Sequence, residues 1–217
     1  MKIRTLATLA ATLLGPAIPA GGIAAQASDE GTLVIQHGPQ EIGGESFRVV
    51  ATDSSLRITA HTVYPGTRPP REFTVTVERS TAGGLAYQRA YQGPAGSGEV
   101  YAVLQRNRLT VRRVEKGKEQ AREVPGSAAL ILVADSAFAP LLQFVAAASE
   151  TPTPVQAFVP GTGRRLRVLV QRGPQAGGGT VVTLSGDLEG EIRLGDRGDV
   201  QRITLPSLGL DAVRRRE

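Results

Sequence analysis

The side chains that could do acid–base or metal chemistry are few in this sequence, and they are scattered. There are two histidines, His37 and His61. Each falls in or beside a strand-like run, and neither has an acidic cluster at ligand spacing. Two imidazoles and a distant carboxylate would hold zinc, but nothing in the spacing favours it. No cysteine is present, which removes thiol nucleophiles, thiolate metal sites and disulfides. Glu189 and Glu191, like Glu72 and Glu78, share one face of a strand. Glycosidic cleavage needs two carboxylates facing each other across a cleft, whereas alternating glutamates read as a solvent face. Gly93 to Gly98 matches a nucleophile elbow only loosely and reads as a hairpin loop. Gly173 to Thr180 is glycine-rich but lacks the lysine of a phosphate loop. Arg197-Gly198-Asp199 fits a β-turn. The sequence therefore predicts no catalytic residue, metal site or cofactor, and a chain that is not an enzyme.

The residues that remain are apolar. Phe73, Tyr87, Tyr91 and Tyr101 lie on strand-like runs in the first half, and Phe138 and Phe144 on a helix-like run in the second. From Ala137 to Ala148 the only polar side chain is Gln143. A helix that is apolar all round must be buried on several sides or present a face to something else. With Leu141, Leu142 and Val145, these nine residues form the candidate ligand-binding set. If a sheet curls without closing, one helix can lie across its open side, and the space between suits an acyl chain or another apolar ligand.

The elements that must position them follow from periodicity. Leu56, Ile58 and Ala60 alternate with Arg57, Thr59 and His61. Phe73, Val75 and Val77 alternate with Glu72, Thr74, Thr76 and Glu78. Leu85, Tyr87 and Tyr91 share a face with Arg89. Further strands are expected at 31–37, 44–51, 99–105, 108–114, 164–171, 179–185, 188–194 and 199–205, rich in β-formers. Turn signals such as Pro65-Gly66, Gly83-Gly84, Lys116-Gly117 and Gly186-Asp187 recur at hairpin spacing. Most connections are too short for a crossover helix, so the sheet should be mainly antiparallel. Ala128 to Ala134, continuously apolar, reads as a buried strand. The helix follows, with Asp135 or Ser136 as its cap and Pro140 near the start of its regular part. The expected fold is a mainly β, curved antiparallel sheet, a half-barrel or open barrel, with one central apolar helix. Residues 128–148 are long enough to span a membrane, but Asp135 near the middle would cost about 3 kcal/mol on insertion.

Composition sets the compartment and the class of partner. Lys2 and Arg4, the apolar run from Leu6 to Ile18 and Ala25-Gln26-Ala27 have the layout of a secretory signal peptide cut after Ala27. Residues 28–217 then form a single β-rich domain, periplasmic or secreted, with a formal charge reduced from +5 to +3. The absence of cysteine also excludes a lipid-anchoring signal. Basic residues are interleaved with acidic ones, as in Arg71-Glu72 and Arg122-Glu123, so no nucleic-acid surface is expected. Stable membrane insertion after cleavage is not expected either. The partners in view are an apolar small molecule or lipid and, as the alternative, an envelope protein for which the chain serves as a structural or interaction module.

Short motifs carry a resemblance. Gly31-Thr32-Leu33-Val34-Ile35 followed by Glu41-Ile42-Gly43-Gly44-Glu45-Ser46-Phe47-Arg48 resembles the first hairpin of small periplasmic β-rich half-barrel proteins. Asp199-Val200-Gln201-Arg202-Ile203 and Pro206 through Arg214 resemble their last strands. The architecture is similar to the lipoprotein-carrier half-barrel. That resemblance implies a lipid site enclosed by a curved sheet and helix, and it carries over no catalytic residue.

Overall fold

Period-two alternation builds most of the molecule. The computed structural model describes residues 27–66 and 68–215; of the expected signal segment, residues 1–27, all but Ala27 lies outside the described residues. Eight strands run in an uninterrupted antiparallel meander: β1 (Ala27–His37), β2 (Gln40–Ala51), β3 (Ser55–Tyr64), β4 (Arg71–Ser80), β5 (Leu85–Gly93), β6 (Gly96–Gln105), β7 (Arg108–Glu115) and β8 (Lys118–Pro125). A short strap, residues 126–130, leads to β9 (Ile131–Leu132). A 3-10 turn (Ala139–Leu142) then runs directly into α1 (Gln143–Ala147). The second meander is β10 (Thr153–Val159), β11 (Arg164–Pro174), β12 (Thr180–Gly186), β13 (Gly190–Leu194), β14 (Val200–Leu205) and β15 (Leu210–Arg214).

The two meanders form one 15-stranded sheet because the first strand pairs with the last. β1 and β15 are antiparallel, with Leu33 opposite Arg214 and His37 opposite Leu210. The sheet is open, and its free edges are β8 and β9. It curls far enough for β5 and β7 to meet the β10–β11 loop: Arg113 donates to the Gly161 carbonyl at 3.5 Å, and the Arg89 guanidinium packs on Gly161. Inward positions of both meanders and the helix form one continuous core that includes Leu33, Ile58, Leu109, Phe144, Phe158 and Ile192. Among the described residues the expected fold class is therefore the observed one: a curved, open, mainly antiparallel sheet with a single short helix.

Four local expectations are corrected. Ala128 to Ala134 is not one strand. Only Ile131 and Leu132 pair, and they do so parallel to β10. Before them the chain turns, with Leu130 N–H donating to the Ser127 carbonyl at 3.0 Å, which leaves Ala128 and Ala129 exposed. The helix is shorter than Ala137–Ala148. Pro140 confines its start to a 3-10 turn, and Ala148 is already extended (φ −79°, ψ 135°). Neither Asp135 nor Ser136 caps it: Asp135 pairs with Arg89 instead, and the cap comes from β2. Finally, β8 and β10 carry no strand expectation, and β15 is anticipated only through the resemblance of Pro206 through Arg214 to last strands. β8 is exposed from Lys118 to Glu123 and so has no apolar phase to detect.

Candidate functional site

A single buried carboxylate fixes the helix against the sheet. On β2 the inward phase set by Phe47 points Glu45 into the core, where it is fully buried. Its two oxygens accept the backbone N–H groups of Phe138 (2.8 Å) and Ala139 (2.6 Å) and the Thr62 hydroxyl (2.7 Å). The first orphan donors of the helical segment are thus satisfied from across the sheet rather than by a local cap. Burial pushes the Glu45 carboxyl up, against the pull of those three donors.

The other helix contacts are also polar. Gln143, 2% exposed, donates its side-chain amide to the carbonyls of Leu132 (2.6 Å) and Pro140 (2.9 Å), so it covers the free side of β9. Arg172 on β11 donates to the Val145 carbonyl at 2.7 Å, which occupies an unpaired acceptor in the last turn.

Two cavities flank that last turn. The larger, about 730 Å³, lies under the strap. It is walled by Leu56, strap residues through Ile131, Ala146 and Ala147 of α1, and Thr153 to Gln156 of β10. The second, about 430 Å³, lies on the other flank among Val49, Leu142, Val145, Leu194 and Val200. Leu56 and Ala146 line both, so the turn of helix between them is the partition. A third, of about 380 Å³, sits at the opposite end of the helix around Tyr64, Phe138 and Leu141.

The nine expected site residues are dispersed over this arrangement. Leu142 and Val145 line the 430 Å³ cavity, and Phe138 and Leu141 the 380 Å³ one. Phe144 is fully enclosed in core. Tyr87 is buried, 2% exposed, and burial pushes its phenol well above the usual value. Phe73 meets Tyr64 edge-on at 6.0 Å. Phe73 and Tyr91 hold Arg89 between them, its guanidinium carbon 5.9 and 5.4 Å from their ring centres. Tyr91 also donates to Glu115. Tyr101 stands on the outer face, out of phase with the buried Val100 and Ala102, and donates to Glu99. None of the nine lines the largest cavity.

The residues that sequence reasoning did not single out are charged. Arg79 follows Phe73, Val75 and Val77 in the inward phase of β4 and reaches the largest cavity. Its guanidinium donates to the carbonyls of Ala128 and Leu130, both at 2.5 Å, and burial pulls it below its usual value. Arg165, at the rim of the same cavity, donates to the Pro125 carbonyl and lies 5.9 Å over the Phe158 ring. Strand phase alone would have revealed Glu45 and Arg79. Arg165 could not be found that way, because it lies on the opposite phase from Leu166 and Val168 and is brought in by the strap.

The chemically reactive candidates stay apart. His61 is on the outer face with Nε2 3.8 Å from Glu72, and His37 ends β1 beside Gly209. Glu189 precedes β13 in an exposed position, and Glu191 pairs with Arg193 at 2.9 Å. Among the described residues no group of three or more His, Asp or Glu side chains could hold a metal ion. No described helix is long and apolar enough to cross a membrane. No protein-family model, no curated protein and no solved structure matches this chain.

Proposed function

We propose that the protein is an exported, non-enzymatic binder or carrier of an apolar ligand, a lipid or acyl group, held between the curved sheet and the helix. The observation that carries this reading is the pair of cavities on either side of the last turn of α1. Their volumes fall within or near the range of small-molecule sites, their walls are mostly aliphatic, and they meet at Leu56 and Ala146. Both open to solvent, so a ligand can reach them without disturbing the packed core. Export is supported by the basic start, the apolar run and the Ala25-Gln26-Ala27 site. Native mass spectrometry of the protein purified from its own cells tests the reading. The expected spectrum contains, beside the bare chain, an adduct that collisional activation releases as an amphiphilic or apolar molecule. A spectrum of bare chain alone, under conditions that preserve a known lipid carrier's cargo, overturns it.

A further inference from the structure

The largest cavity is mostly apolar yet carries two arginines and no acid. Its wall contains Arg79 and Arg165 and not one aspartate or glutamate. Elsewhere the fold neutralises its partly buried arginines. Arg89 is paired with Asp135, Arg202 with Asp211 at 2.8 Å, and Arg214 with Asp29 at 2.7 Å. Among the described residues, Arg79 and Arg165 have no carboxylate partner, and their protein acceptors are the backbone carbonyls of Pro125, Ala128 and Leu130. A guanidinium presents five N–H donors; two of those on Arg79 and one on Arg165 are engaged this way. A carbonyl supplies a partial charge only, so a partly buried cation such as Arg79 is left short of compensation. The nearby helix end does not account for it: the Val145 carbonyl is taken by Arg172, not by either of these two.

We propose that the cavity beneath the strap binds an acyl chain ending in an anionic head, a carboxylate or a phosphate, with Arg79 and Arg165 receiving the head and Leu56, Ile131, Ala146 and Val155 enclosing the chain. This rests on the apolar-ligand reading above and assigns the head group. Guanidinium forks match the oxygens of carboxylate and phosphate and bind them more strongly than neutral acceptors. The same site would hold a hydroxylated chain poorly, because an alcohol brings no charge to a cation already bonded to carbonyls.

The experiment is a set of calorimetric titrations of the purified protein with three probes that share a sixteen-carbon chain: palmitate, hexadecanol and palmitoyl-lysophosphatidylglycerol. The expected result is that at least one anionic probe binds about ten-fold or more tighter than hexadecanol. The advantage should shrink as salt rises. Preference for palmitate identifies a free fatty acid as the source, and preference for the lysolipid a phospholipid. Arg165→Gln and Arg79→Gln should each weaken the anionic probe about ten-fold while hexadecanol stays within about two-fold of its wild-type affinity. Arg79 also tethers the strap, so if its variant fails to fold, the exposed Arg165 carries the test. Equal affinity for all three probes, unmoved by salt, overturns the head-group assignment and leaves the apolar-ligand reading standing. No binding of any probe overturns both.

Discussion

Glu45 shows how one residue can hold an element in place. An inward-facing carboxylate on a strand would ordinarily be a liability, since burial disfavours its charge. Here two backbone N–H groups and a hydroxyl converge on it, all from donors that would otherwise be stranded in the core. Glu45→Ala removes the acceptor and leaves those donors unsatisfied, so the variant should lose about 3 kcal/mol of stability, measured by urea denaturation. The same residue gives a pH signature. Burial raises the folded carboxyl above its ordinary value of 4.5, so the native state holds the proton more tightly than the unfolded chain does. The contribution of Glu45 is then fully present below the unfolded value and is lost as pH rises through the folded one. As pH falls towards 4.5 the wild type should gain stability relative to Glu45→Gln, and urea midpoints that stay parallel over the descent would refute the shift.

At the scale of elements, the nine-residue helical segment is stabilised almost wholly by what surrounds it. It is too short to persist alone, and its aromatic centre, Phe144, is fully enclosed. Phe144→Ala should cost about 4 kcal/mol, read as a lowered thermal midpoint; a loss under 1 kcal/mol would mean the core collapses around the gap. Strands that bury one face were legible in the sequence: β4 announces itself through Phe73, Val75 and Val77, and the observed strand extends that run only at its ends. Strands without that contrast were not. β8 buries no face and β10 contains Pro154. The Ala128 to Ala134 run looked like a strand because period alone cannot distinguish a buried strand from an apolar strap. What ends its pairing is Arg79, fifty positions away in sequence, taking its carbonyls. The candidate site was legible to the same degree. Its aliphatic helix residues were readable from composition and Arg79 from the phase of β4, while Arg165 lies on the opposite phase of β11 and reaches the cavity only through the strap. Tyr101 looked like its neighbours in composition and differed only in phase.

Taken as a whole, the sheet has edges that it protects in two different ways. The exposed β8 carries Lys118, Glu119, Arg122 and Glu123, charges that discourage pairing with another chain. β9 is two residues long and covered by Gln143. Between these edges runs the strap, so the gap in the sheet is spanned by the chain itself. The seam between β1 and β15, described above as a matter of pairing, also sets the order in which the molecule can assemble. Each meander can zip from its own hairpins, but the two must then find each other through the first and last strands, the most costly closure the chain contains. A circular permutant that joins Arg215 to Ser28 through a short Gly/Ser linker and opens the chain at Ala128–Ala129 makes every antiparallel neighbour a sequence neighbour. It should refold several-fold faster in stopped-flow measurements, with unchanged far-ultraviolet dichroism. An unchanged rate would place the folding barrier elsewhere. If the rate rises, the natural connectivity costs folding speed and in return places the first and last described strands at the centre of the sheet, leaving the strap over the cavity as unbroken backbone.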